Sequence, residues 1–205
     1  MRLLRCGPDA VLVEVGSTDE VAAVRAGVLA ARLPDVVEVV PAARTVLVAV
    51  RPGSHGLDAV RSVLGDLAVD VPPAAAGRDM TLPVVYDGPD LPLVASTAGV
   101  SVEEVIALHT GPTYSVAFCG FAAGFGYLTG LPRLLRQPRL ESPRSSVPAG
   151  SVGIAGEFTG AYPRSSPGGW RLLGRTSAAL FDARRTPPAL LAPGDRVRFE
   201  AVPPS

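Results

Sequence analysis

Between residues 144 and 170 the chain gathers Arg144, Gly156, Glu157, Thr159, Tyr162, Arg164, Ser166, Gly168, Gly169 and its only tryptophan, Trp170. Glu157 interrupts a small, apolar run, "GIAGEFTGAYP". A carboxylate desolvated there would serve as a base, or hold a cationic or amide group. The competing reading is a solvent-facing glutamate on an alternating strand. Trp170 fits a core as readily as a ligand platform. The serines of "PRSS", present at 143–146 and again at 163–166, close turns more often than they attack substrates.

A second stretch, "HTGPTYSVAFCGFAAGFGYLTGLP" at 109–132, sets Gly120 and Gly124 among Phe121, Phe125 and Tyr127. Glycine permits positive φ and lets a backbone approach a ligand closely. The alternative is a loop whose aromatic rings simply cap a core. His109 could nominally serve a Ser-His-Asp triad, but no G-x-S-x-G elbow precedes a candidate serine. At a helix end it is equally well explained by the C-terminal dipole.

Composition narrows the options. All nineteen basic residues are arginine, with no lysine in 205 residues. A P-loop lysine, a Schiff-base lysine and the lysine of a Ser-Ser-Lys amidase are therefore closed to this chain. Formal net charge is zero and the arginines are scattered, which counts against a nucleic-acid footprint or a polybasic membrane patch. Two histidines and two separated cysteines make neither a metal cluster nor a disulfide framework. Hydrophobic residues make up 47% of the chain, as expected of a folded protein. No apolar run has the length of a spanning helix, and "MRLLRCGPDAVLVEV" lacks a signal-peptide core. The expectation is a soluble, cytoplasmic protein.

These residues need elements to position them. "AVLVEV" (10–15) reads as a strand, and Ser17 with Glu20 forms a capping-box pattern opening a helix over 18–33. Strands at 36–40 and 45–50 and a helix over 56–68 follow. With a closing strand near 69–71 the order describes a small ferredoxin-like α/β unit over residues 1–72. "VPPAAAGRD" has linker composition, placing a linker at 73–79. From 80 to 205 the spacing predicts a strand at 80–87, short helices near 90–98 and 101–109, and a buried strand at 113–121. Short strands at 151–156, 158–162, 170–174 and 196–201 then alternate with Gly/Pro turns, as in a barrel or sandwich.

Together, the 109–132 stretch and "PRSSVPAGSVGIAGEFTGAYPRSSPGGWRLLGRT" resemble the carboxyltransferase-domain subunit 1 family, which includes the PxpB component of 5-oxoprolinase, the KipI kinase inhibitor and proteins labelled allophanate hydrolase subunit 1. The resemblance implies an α+β protein, with the small N-terminal domain followed by a cyclophilin-like β-barrel. It implies partners, a subunit 2 (PxpC-like) and a PxpA-like protein, and ATP shared with them, the assembly opening 5-oxoproline to glutamate. It carries over His109, Gly120, Phe121, Gly124, Phe125 and Tyr127; then Pro148, Gly150, Gly153 and Gly156; then Thr159, Gly160, Tyr162 and Pro163; and Ser166 through Trp170. Arg144 and Arg164 become candidates for phosphate contact, and Glu157 or His109 for orienting water or the ring nitrogen of a small amide substrate.

The sequence departs from the family pattern at two positions: Ala123 replaces a proline, and Glu157 stands where many members carry glutamine. Two other readings follow from the same resemblance. One is an inhibitor that docks on a histidine kinase; the other is part of a urea- or allophanate-metabolising carboxyltransferase, whose biotin would sit on another chain because this one lacks the lysine it needs.

Overall fold

Two serines set two helices, and both do so through their side chains. In the computed structural model, which describes residues 1–67 and 77–204, Ser101 Oγ accepts from the Glu104 N–H at 3.1 Å. Glu104 Oε2 accepts in return from the Ser101 N–H at 2.8 Å. This closes a reciprocal capping box. At the other helix Ser17 Oγ accepts from the Glu20 N–H at 3.2 Å, but the Glu20 carboxylate reaches back one residue further, to the Gly16 N–H.

The chain divides into two compact units, Met1–Ala75 and Ala76–Ser205. The first contains β1 (Arg2–Arg5), β2 (Ala10–Glu14), α1 (Thr18–Ala30), β3 (Val36–Pro41), β4 (Thr45–Val50) and α2 (Gly56–Gly65). Its sheet runs β1-β2-β4-β3, antiparallel throughout. Alternate valines of β2 and β4, Val11, Val13, Val46, Val48 and Val50, pack against Val21, Val24 and Val28 of α1 and Val60 and Leu64 of α2. The period-2 and period-3.6 patterns thus meet in one core. The edge beside β2 is held by β1, from a stretch that carries no alternation. The expected closing strand near 69–71 lies outside the described residues.

The second unit supplies β5 (Asp79–Val84), α3 (Leu91–Ala98), α4 (Val102–Thr110), β6 (Tyr114–Cys119), β7 (Gly126–Thr129), β8 (Arg144–Val147), β9 (Ser151–Ala155), β10 (Phe158–Ala161), β11 (Ser166–Gly168), β12 (Arg171–Arg175) and β13 (Arg196–Ala201). Seven of these strands form one sheet in the order β12-β9-β10-β7-β6-β13-β5. Its two ends meet. Val85, just after β5, exchanges two 2.9 Å backbone hydrogen bonds with Arg175 of β12. Gly88 and Asp90 donate to Leu173 and Leu172 at 3.0 and 3.1 Å. The sheet is thereby closed into a β-barrel, giving the expected α+β class. Close approach at the join depends on Gly174, where a Cβ would stand 2.2 Å from the Val85 carbonyl oxygen.

The barrel is filled by Leu82, Val84, Tyr114, Val116, Leu128, Val152, Ile154, Ala161, Leu173, Val197 and Phe199, with Leu91, Val94 and Val105 of the two helices packed into the same cluster. Residues alternating with these point away from the interior. On β9, β10 and β12 they meet Phe125, Val147 and Trp170 in a separate cluster, on the outer side of the sheet. β8 and β11 pair only with each other, in a two-stranded ribbon. Among the described residues no single helix is long and apolar enough to cross a membrane. α3 and α4, bent by 93° between them, pass that test only as a pair.

Candidate functional site

Apart from Tyr114, which fills the barrel, the aromatic residues of the two motif stretches converge outside it. Phe125 is their centre, with ring centroids at 5.0 Å from Tyr127, 5.2 Å from both Tyr162 and Trp170, and 5.4 Å from Phe121, all edge to face. Tyr127 stacks on Phe118 at 4.3 Å and meets Phe158 at 5.7 Å. Edge-to-face contact brings the positive ring edge to the negative face, so the group is held by geometry as well as area.

Glycines make the floor. A Cβ on Gly160 would lie 2.7 Å from the Gly126 carbonyl oxygen and 3.3 to 3.4 Å from the rings of Trp170 and Phe125. One on Gly153 would stand 2.9 Å from the Arg171 carbonyl oxygen and 3.3 Å from Trp170 Cβ. One on Gly168 would meet the Tyr162 hydroxyl oxygen at 2.5 Å. Gly153 and Gly160 are therefore required first by neighbouring carbonyl oxygens and then by the side chains beside them, and Gly168 by the Tyr162 ring.

Two of the predicted glycines shape the loop between β6 and β7. Gly124 has φ +87° and room for no side chain against Leu180 and Phe181. Phe121 also adopts positive φ, +66°, and is 59% exposed, a conformation that costs an aromatic residue energy. Among the described residues the N–H groups of Phe121, Ala123 and Gly124 donate to no backbone carbonyl, while Ala122 and Phe125 close the turn.

The remaining predicted residues separate. Glu157 is not desolvated. It is the second residue of a two-residue hairpin turn between β9 and β10, exposed, after Gly156 at φ +57°. Positive φ at the first turn position is what such hairpins demand, so the glycine-rich pattern made a tip and not a buried acid. Arg144 is committed: Nη2 donates to Asp90 Oδ1 at 2.7 Å, and Nη1 to the Trp170 carbonyl at 3.4 Å. The other Asp90 oxygen accepts from the Leu172 N–H at 2.7 Å. Arg164 is exposed in the corner before β11 and has no partner among the described residues. The two "PRSS" copies meet in the ribbon, Ser146 Oγ lying 2.9 Å from Ser165 Oγ. Ser166 Oγ is buried without a hydrogen-bond partner among the described residues. Gly169 lies against Pro143.

His109 and Thr159 lie on the other side of the sheet, inside the barrel. His109 is 0% exposed and stacks on Phe199 at 4.5 Å. Its Nδ1 is 2.7 Å from the Tyr86 hydroxyl and its Nε2 is 2.8 Å from Thr159 Oγ1. Thr159 spends its one hydroxyl hydrogen on the Gly153 carbonyl at 3.1 Å, so it must accept from Nε2–H, and Tyr86 must donate to Nδ1. The tautomer follows from the hydrogen count. Burial pushes the imidazole down to about 3, so the ring is neutral at ordinary pH. Burial also raises the Tyr86 phenol.

Several residues of this surface gave no signal in the sequence. Asp90, buried and doubly bonded, anchors both Arg144 and β12. Gln137 donates Nε2 to the Val94 carbonyl at 2.9 Å and accepts from Arg171. Burial raises the phenols of Tyr127 and Tyr162, and the positive charge of Arg139 opposes it in both. No three His, Cys, Asp or Glu side chains gather as a metal site among the described residues.

Comparison with known proteins adds a family to this geometry. A B-type component of 5-oxoprolinase from Escherichia coli O157:H7 is 46% identical over 171 residues, 82% of this chain and 78% of that protein. The crystal structure of TTHA0988 superposes with a TM-score of 0.82 at 37% identity, covering 97% of this chain and 40% of that longer one. The Kluyveromyces lactis urea amidolyase matches at 19% identity and a TM-score of 0.74, over 98% of this chain and 15% of that one, a likeness of fold. The family described as carboxyltransferase domain, subdomain C and D, matches residues 1–191, and the chain belongs to it.

Proposed function

We propose that the chain is a subunit of an ATP-dependent 5-oxoprolinase, opening 5-oxoproline to glutamate as ATP becomes ADP and phosphate. The observation that carries this reading is the 46% identity to the B-type component of a 5-oxoprolinase across most of both chains. In that reaction ATP phosphorylates the lactam oxygen and leaves as ADP. Water adds to the activated carbon, and the ring C–N bond breaks with its electron pair and a proton going to the nitrogen. A second water hydrolyses the resulting acyl phosphate to the carboxylate and phosphate. Backbone N–H groups aimed at the developing oxyanion lower its energy, and those of Phe121, Ala123 and Gly124 donate to no backbone carbonyl in the loop beside the aromatic face.

The outer face of β9, β10 and β12 is the part of this chain that meets the rest of the assembly, a subunit 2 (PxpC-like) chain and a PxpA-like protein. A ring exposed at the edge of a packed aromatic cluster has the character of an interface anchor, and Phe121 is such a ring. TTHA0988, of which the matching region is 40%, supports the same reading, since its single chain carries further polypeptide. With no lysine here, much of the charge that neutralises a triphosphate falls to arginine or to a partner. His109 is a positioning residue: locked in the barrel, it fixes Thr159 and, through it, the Gly153 carbonyl beneath Trp170.

The test is reconstitution. This chain, co-purified with its subunit 2 and PxpA-like partners, should form glutamate and ADP from 5-oxoproline and ATP, and should form neither when any one chain is omitted. A complete complex that binds together but turns over no 5-oxoproline would overturn the assignment.

A further inference from the structure

The two helices of the first unit cover one face of its sheet. On β2 and β4 the core valines alternate with Ala10, Leu12 and Glu14 and with Thr45, Leu47 and Ala49, which therefore point to the other face. The pairing register carries that second face across all four strands. Leu4 stands opposite Leu12, Leu12 opposite Leu47, and Leu47 opposite Val40, and directly paired residues share a face. The result is an unbroken apolar row, half-buried at Leu4, Leu12 and Leu47 and 38% exposed at Val40. None of the four belongs to the core of the unit or to the side chains packed against that core.

Polar groups flank the row. Arg2, Glu14 and Thr45 line one side of it, and Ala10, Ala49 and Glu38 line the other. Arg2 and Glu38 thus occupy diagonally opposite corners of the face. Arg2 Nη1 donates to Glu14 Oε2 at 2.8 Å, which leaves Nη2 and Nε uncommitted among the described residues. Glu38, exposed at the other corner, makes no hydrogen bond or ion pair among the described residues.

This arrangement complements itself. Two-residue steps set the outer rows about 14 Å apart, and four strands span about 14 Å, so the face is close to square. A twofold axis lying in the face along its other diagonal exchanges the Arg2 and Glu38 corners. Arg2 of each copy then meets Glu38 of the second copy, where the free edge of the guanidinium suits a carboxylate. The same axis crosses the two apolar rows at right angles and brings Leu12 and Leu47 of both copies to the centre. Near-perpendicular crossing is one of the two ways in which sheets pack face to face, and self-complementarity is what a twofold dimer requires. Pairing edge to edge is poorly served, because β3 carries a bulge between Val36 and Glu38 and ends on Pro41.

We propose that the open sheet face of the first unit is a dimer surface, covered by a second copy of this chain. The surface lies wholly in the first unit and the motif residues lie in the second, so the inference does not depend on the assigned reaction.

Sedimentation equilibrium of the full-length chain over a wide range of concentration tests it. The expected result is a reversible monomer–dimer equilibrium. Leu47→Glu puts a charge at the centre of the face and should raise the dissociation constant at least tenfold. Glu38→Arg sets two cations together and should raise it severalfold. Reversing all three charges, with Arg2→Glu, Glu14→Arg and Glu38→Arg in one chain, should bring the constant back toward that of the unmodified protein, a recovery that misfolding would not produce. Phe121→Glu, on the outer barrel face, should leave it unchanged. The proposal is overturned by a chain that stays monomeric throughout, by a triple reversal no tighter than Glu38→Arg, or by a dimer that Phe121→Glu breaks and Leu47→Glu does not.

Discussion

His109 is the residue whose chemistry changed most between sequence and structure. A histidine near two motif stretches invites a catalytic role, but this one is enclosed, neutral and bonded at both nitrogens. Its burial has a measurable signature. With the folded imidazole lowered to about 3 and an unfolded value near 6.5, the unfolded chain binds a proton between those values that the folded chain does not. Stability contributed by the neutral ring is complete above about pH 6.5 and is lost as pH falls toward 3, at about 1.4 kcal/mol per pH unit. Denaturant titrations across this window should show that loss, and His109→Gln should flatten it relative to the unmodified chain. Equal slopes in the two would mean that the ring titrates normally. Glu157 moved the opposite way, from a suspected desolvated base to an exposed turn residue. Its neighbours in sequence are small because a hairpin tip and a ring-bearing strand require it.

At the scale of elements, what could be read in advance was what local patterns determine. Both capping serines, the valine alternation of β2 and β4, and the run from Tyr114 to Phe118 each declare themselves within a few residues. What could not be read depends on partners distant in sequence. β1 is a four-residue strand made by pairing with β2, and the β8–β11 ribbon pairs Val147 with Ser166 and Arg144 with Gly168, about twenty positions apart. Neither alternates. The role of Asp90 requires both Arg144 and the Leu172 N–H to arrive. The glycines of β9 and β10 were legible as unusual, but not as the floor of an aromatic cluster. That floor is testable. Gly160→Ala would press a methyl group against the Gly126 carbonyl and the Trp170 and Phe125 rings. The expected cost is about 2 kcal/mol from overpacking, read as a lower denaturation midpoint with a shifted Trp170 emission. An unchanged midpoint would show that the strand can move aside.

For the whole molecule, the two units each hold a core of their own, valine-rich in the first and mixed aliphatic and aromatic in the second. The motif residues all fall in the second. The barrel there closes through one reciprocal pair of backbone hydrogen bonds between Val85 and Arg175, supported by Gly88, Asp90 and the ion pair of Arg175 with Asp87 at 2.8 Å. Every other junction in that sheet runs between named strands. This join is a seam, and Gly174 is what allows its two sides to touch. An alanine there has backbone and no flexible side chain in its path, so the seam itself would have to part. Parting it would uncover two unpaired strand borders in a sheet whose described strands otherwise present none, and such borders recruit strands from other molecules. Gly174→Ala should therefore fail by self-association, with light scattering that rises with protein concentration, before it fails by unfolding. A Gly174→Ala protein that stays monodisperse at high concentration would show that the barrel stays shut without its glycine.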